Sequence, residues 1–102
     1  MRSQAEIRLN YERAIRQAER LETLSARMRR MADDDMEGLL GEVYRAWTGE
    51  SATRYIQKGQ RAETNLRTIA DNLKKNAESI RLIAEQVRAA ELEARRIASE
   101  HG

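Results

Sequence analysis

The sequence Trp47-Thr48-Gly49-Glu50-Ser51 lies near the middle of the 102-residue chain, between two long segments that each carry helical periodicity. Gly49 can adopt a positive φ at little steric cost, which suits the residue that follows a helix C-terminus. Ser51 is a candidate N-cap for a second helix. Because the connection is so short, it predicts two adjacent, antiparallel helices with a bend at Gly49.

The segment before the bend predicts one long helix. Ser3 and Glu6 have the spacing of a capping box. Beyond them, apolar residues recur at steps of mostly three and four, which is typical of one helix face. The members of this face are Ile7, Tyr11, Ala14, Ala18, Leu21, Leu24, Met28 and Met31.

Residues 32–38 are the weakest part of the first helix, because Asp and Gly disfavour helix interiors. The apolar face nevertheless resumes at Met36, with either Leu39 or Leu40 as its next member and Val43 after that. We therefore predict a continuous or slightly kinked helix here. Two glycines on this stretch, Gly38 and Gly41, suggest a close approach between helices.

The segment after the bend has a more regular pattern. Its apolar positions alternate steps of four and three, which is the repeat of a left-handed helix-packing seam. Asn76 is the single polar member and is a candidate for setting register. The positions are Ala62, Leu66, Ile69, Leu73, Asn76, Ile80, Ile83, Val87, Ala90, Ala94 and Ile97.

The sequence therefore predicts an all-α protein in one domain of residues 1–102. Its first helix spans about 3–46, its turn 47–50 and its second helix about 51–99. The apolar stripes are wider than one hairpin needs, so we expect two antiparallel hairpins to dimerise into a four-helix bundle. The partner is either a second copy or a related helical hairpin.

The composition argues against nucleic acid, disulfide bonds and a membrane-spanning segment. Charged residues make up 35% of the chain, but their signs are interspersed and the formal net charge is +2, so we expect no nucleic-acid binding. The absence of cysteine excludes disulfides and thiolate chemistry. No apolar run approaches the roughly 20 residues that cross a bilayer. No ordinary signal peptide is recognisable at the N-terminus, and we expect no stable membrane insertion.

No arrangement of residues predicts catalysis. Consecutive residues on a helix point about 100° apart, so Asp33, Asp34 and Asp35 cannot converge on one ion and indicate a solvated acidic patch. His101 is the only histidine, and no phosphate-binding glycine loop is present. We expect a protein that is not an enzyme and that binds neither a metal nor a cofactor.

The length of about a hundred residues, the lack of cysteine and a central Trp47-Thr48-Gly49 between two amphipathic helices resemble the WXG family. These are the early-secreted-antigenic-target (ESAT-like) proteins, small substrates of bacterial type VII secretion. The resemblance extends to the residues around the motif, which are Leu39, Val43, Ser51, Ala52 and Tyr55.

This resemblance implies a hairpin made in the cytoplasm and exported as a folded dimer, without a cleaved signal peptide, to the cell surface or the medium. The export machine contains an FtsK-like ATPase. Some family members act outside the cell, whereas others escort a larger secreted toxin. The resemblance thus implies two further partners, the toxin and the ATPase.

One element departs from the family pattern. Members or their partners often carry Tyr-x-x-x-Asp/Glu near the C-terminus, whereas the matching slot here runs from Val87 to Glu91 with valine in place of tyrosine. The export signal is therefore absent, degenerate or supplied by a partner, which favours a heterodimer or an escort role. The alternative is an intracellular coiled-coil structural or adaptor protein with no export role.

The residues expected to carry this function form two sets. The turn motif is Trp47, Thr48 and Gly49. The seam that closes the hairpin or the dimer comprises Leu21, Met28, Val43, Leu66, Ile69, Leu73, Ile80, Ile83 and Val87.

Overall fold

The computed structural model describes residues 2–101, which contain helices and no strand, so the predicted all-α class is confirmed. Two long helical arms flank Trp47–Gly49 and form a helical hairpin. The first arm contains a π-helical turn but stays helical from end to end, in agreement with the predicted continuous helix. Its parts are α1 (Gln4–Arg30), the π-helical turn (Met31–Met36) and α2 (Glu37–Ala46); the second arm is α3 (Glu50–His101).

The ends of the helices follow local sequence signals. The backbone N–H of Glu6 donates a hydrogen bond to Ser3 Oγ at 3.2 Å, so the serine of the capping box acts as expected. The prediction that Ser51 caps the second helix is wrong, because α3 begins at Glu50 and Ser51 lies within its first turn. None of the helices in the described part of the chain combines the length and apolar character needed to cross a membrane.

Residue contacts divide the chain into two units, which are described separately. The first unit comprises residues 2–22 and 75–101, and the second comprises residues 23–74. Each unit contains a length of the first arm packed antiparallel against a length of α3.

The first unit packs through small side chains. Ala18 on α1 and Ala77 on α3 are completely buried, and Ile7 and Ala84 are nearly so. Ion pairs Arg81–Glu22 at 2.6 Å and Arg2–Glu91 at 3.2 Å border this contact. Because these ion pairs are partly exposed, each adds little stability, and close apolar packing is the main stabilising contribution.

The second unit begins with the same kind of packing. Ala32 and Ala70 are fully buried. Ser25 is buried as well, and its hydroxyl donates a hydrogen bond of 2.6 Å to the backbone carbonyl of Ala70. This bond meets the hydrogen-bonding requirement of the Ser25 hydroxyl, which is the buried polar group on the α1 side of this contact.

The π-helical turn changes the register of the first arm. Ser25 and Ala32 are seven residues apart, but the next buried residue is Leu40, eight residues further on. A π-helical turn accommodates one extra residue, so Leu40 is 7% exposed whereas Leu39 is 49% exposed. The structure thus selects Leu40 from the two alternatives that the sequence left open.

Candidate functional site

The bend in the second unit is held by backbone hydrogen bonds on both sides. Trp47 leaves the helical conformation with φ −132° and ψ 133°, while its N–H still bonds to the carbonyl of Val43 at 2.9 Å. Gly49 has φ +104°, a region that disfavours every residue with a Cβ. Both the N–H and the hydroxyl of Thr53 donate to the Gly49 carbonyl at 3.1 Å. The bend therefore requires the glycine of the turn motif.

Aromatic side chains surround this bend. The rings of Trp47 and Tyr55 lie 6.1 Å apart between centroids and are tilted by 54°, a favourable aromatic geometry. Trp47 is nevertheless 48% exposed, and Tyr44 is more exposed still. A groove of about 550 Å³ lies beside Trp47 and is also lined by Tyr44 and Ile56. Half-exposed aromatic rings beside a groove are typical anchors for a partner protein.

Below the bend, the two arms are in tight contact at Gly59. A Cβ placed on Gly59 would lie 3.0 Å from Leu40 Cδ1 and 3.1 Å from Leu40 Cγ, inside normal contact distance. The expectation that Gly38 and Gly41 serve this purpose is wrong. A Cβ on Gly38 would meet nothing within 4 Å, and one on Gly41 would meet only the Arg45 side chain.

A buried carboxyl group lies one turn further along α3. The Glu63 side chain is 5% exposed, and its Oε1 has no hydrogen-bond partner among the described residues. Burial raises the pKa of Glu63, and the nearby Glu37 carboxyl adds to the rise. Arg67 opposes it through an ion pair of 3.4 Å and also pairs with Asp33 at 2.8 Å. The sequence pattern did not single out Glu63, because its charge suggests a solvated position.

The predicted seam residues fall into two classes of burial. Six of them are half-buried: Leu21, Met28, Val43, Leu66, Leu73 and Ile80. Three are exposed: Ile69, Ile83 and Val87. The most buried positions of α3 are instead Ala52, Glu63, Ala70, Ala77 and Ala84. A seven-residue spacing from Glu63 to Ala84 was visible in the sequence, but alanine carries a weak hydrophobic signal.

The slot matching the family's export signal lies in the first unit. Val87 is exposed and lines an apolar groove of about 230 Å³ together with Ile83 and Tyr11. Glu91 pairs with Arg2, and the Arg88 guanidinium lies 4.3 Å from the centre of the Tyr11 ring, a cation–π contact. Val87 and Glu91 therefore border the same groove.

The described residues present two grooves lined by apolar and aromatic side chains. Among the described residues, no group of three or more histidine, cysteine, aspartate or glutamate side chains is placed to hold a metal ion. Asp33, which pairs with Arg67, and its exposed neighbours Asp34 and Asp35 are accordingly an acidic surface.

Comparison with known proteins gives no assignment. No protein-family model matches the sequence, and no curated protein or solved structure matches it either.

Proposed function

We propose that this protein is a small substrate, or the escort of a larger substrate, of a bacterial type VII secretion system, and that it acts as a helical dimer of the WXG kind. It performs no chemistry in this role. Its partners are a second hairpin, the export ATPase and, for an escort, a larger secreted toxin. The protein is made in the cytoplasm and released to the cell surface or the medium.

The observation that supports this proposal most strongly is the surface at the bend. The turn motif of Trp47, Thr48 and Gly49 stands between the two arms, and Gly49 has the positive φ that explains why the motif needs glycine. Packing leaves Trp47 48% exposed. A Trp that only fills a core is highly buried on average.

Export can be tested directly in a bacterium that has a type VII system, with and without its ATPase. We expect the protein in the medium only when the ATPase is intact. Appearance without the ATPase, or retention in the cell with it, would contradict the proposal. Retention in both strains would favour the alternative, an intracellular structural or adaptor protein.

The role of the bend can be tested with Trp47→Ala. Because the ring is half-exposed, the expected loss of stability is modest, about 1–2 kcal/mol, whereas export should fall sharply. Leu24→Ala is a matched control, since Leu24 is 40% exposed in the same unit but lies away from the bend. Equal export of both variants and the unaltered chain would show that the Trp47 surface is not recognised.

A further inference from the structure

The apolar stripe of α3 is three columns wide, and the hairpin covers only two of them. Positions seven residues apart form a column along a packed helix. The first column, Glu63, Ala70, Ala77 and Ala84, is buried against the first arm. The second, Leu66, Leu73, Ile80 and Val87, is half-buried except at Val87. In the third column Ile69, Asn76, Ile83 and Ile97 are all exposed.

We propose that the third column is covered by the same column of a second copy, with the two α3 helices antiparallel and Asn76 at the twofold axis. This inference rests on the dimer of the proposed function and selects an identical partner over a related one. An identical copy also has valine at position 87, so within the proposed function the escorted larger substrate would supply the export signal. A residue a given number of places before Asn76 then faces the residue equally far after it in the second copy.

The order of residues in the third column supports self-pairing. Read outward from Asn76, both directions give isoleucine and then alanine: Ile69 and Ala62 on one side, Ile83 and Ala90 on the other. Ile69 thus packs on Ile83 of the second copy, and Ala62 packs on Ala90. A twofold interface must be self-complementary in this way.

Asn76 supplies the polar contact that specifies the register. Its side-chain amide can both donate and accept hydrogen bonds, so two copies facing each other at the axis satisfy one another. A single asparagine in an otherwise apolar seam sets register and partner number at a cost in stability. Sliding the helices by one repeat would place the amide against isoleucine and leave it unpaired.

Charge supports the same arrangement. In a twofold antiparallel pair each flanking column faces itself, so a run of like charges in a flank would repel. One flank is the second column, and the other is Asn65, Asn72, Ser79 and Gln86. All nine charged residues of segment 62–90 lie outside the third column and both flanks. Charge returns only beyond this segment. There Lys58, 18 residues before Asn76, lies within one residue of the level of Glu93 of the second copy, 17 residues after Asn76, on the same flank and with opposite sign.

Cysteine cross-linking tests the register, because the chain has no cysteine of its own. Asn76→Cys should form a disulfide-linked dimer on mild oxidation. Ile69→Cys and Ile83→Cys should each fail to cross-link alone, since identical positions are about 21 Å apart along the helices, but should cross-link when mixed. Self-linking of Ile69→Cys and Ile83→Cys would show a parallel pair and overturn the proposal. A monomer at micromolar concentration would also overturn it.

Substitution tests the face. Ile83→Glu should weaken dimerisation roughly 100-fold, because a charge then faces Ile69. Leu82→Glu, at an equally exposed neighbour outside the three columns, should leave the association constant unchanged. Both side chains are exposed within the hairpin, so circular dichroism should show unchanged helix content. Equal weakening by both variants, or by neither, would overturn the assignment of this face.

A charge exchange tests the ends of the interface. Lys58→Glu and Glu93→Lys should each weaken the dimer several-fold, and the double variant should restore it; no restoration would contradict the pairing.

Export distinguishes the two proposals. Correct cross-links without ATPase-dependent export would refute secretion and leave the dimer intact. ATPase-dependent export of a chain that fails the cross-linking test would refute only the identical partner.

Discussion

The first unit, residues 2–22 and 75–101, packs two regular helices mainly through buried alanines, whereas the second, residues 23–74, contains the π-helical turn, the bend and the buried Glu63. In the first unit, both helices keep a regular register at the contact. In the second, one inserted residue changes the register, and Gly59 and Leu40 fit together in compensation. The irregular features are therefore concentrated in the unit that contains the surface proposed for recognition.

The largest loss of stability is expected from a substitution that disrupts the regular packing of the first unit. Ala77→Leu adds three carbons at a fully buried position, which should lower the free energy of unfolding by about 3 kcal/mol through overpacking. Denaturant unfolding at fixed protein concentration measures this. Ala89→Leu, at an exposed position of α3, should change stability by about 0.5 kcal/mol or less. Similar losses in both variants would show that Ala77 is not tightly packed.

The next effect concerns the close contact of the second unit. Gly59→Ala should cost about 2 kcal/mol, because the new Cβ forces Leu40 out of its position. Gly38→Ala should instead stabilise by about 0.5–1 kcal/mol, since alanine favours helix and meets no neighbour. Thermal or denaturant unfolding compares the two. If both substitutions stabilise, Gly59 does not mark the close approach.

A pH series examines the buried carboxyl of the second unit. The raised pKa of Glu63 means that the folded chain binds this proton more tightly than the unfolded chain. Its stabilising contribution is present below the ordinary value of 4.5 and is lost as pH rises through the raised pKa. Glu63→Gln should therefore stabilise the protein at pH 7 by about 1 kcal/mol. This gain should shrink as the pH approaches 4.5.

The control for this series is Glu78→Gln, at an exposed position of the same helix. It should change stability little across the pH range, and unfolding curves at each pH provide the comparison. A variant Glu63→Gln that is less stable than the parent chain at pH 7 would mean that the ion pair with Arg67 outweighs the effect of burial.

The smallest expected loss of stability concerns Ser25, the buried polar residue that distinguishes the α1 side of the second unit from that of the first. Ser25→Ala places alanine at the buried serine of α1, as at Ala18 in the first unit, and removes the hydrogen bond to the Ala70 carbonyl. The expected loss is about 1 kcal/mol. Ser79→Ala, at an exposed serine, should lose nothing. Equal stability of both variants in denaturant would show that the buried hydroxyl contributes nothing.

Much of the hairpin was predictable because its signals are local. Helical periodicity, the Ser3 cap and the positive φ of Gly49 depend on residues within a few positions of one another. Leu66, Leu73 and Ile80 were likewise identified as seam residues by spacing, and they are half-buried. The π-helical turn was not predicted, because the weak helix propensity of residues 32–38 gives no indication of an added residue.

Local sequence signals were enough to predict where the chain is helical, where it bends and which residue type the bend requires, because backbone sterics and capping act over a few residues. The packing of the two arms, in contrast, sets which columns of α3 face the first arm, that Leu40 rather than Leu39 is buried, and that the charged Glu63 is buried. Those outcomes depend on how closely two helices approach across residues distant in sequence. Small side chains at Gly59, Ala70 and Ala77 favour the closest approach, even though larger apolar residues give the stronger sequence signal.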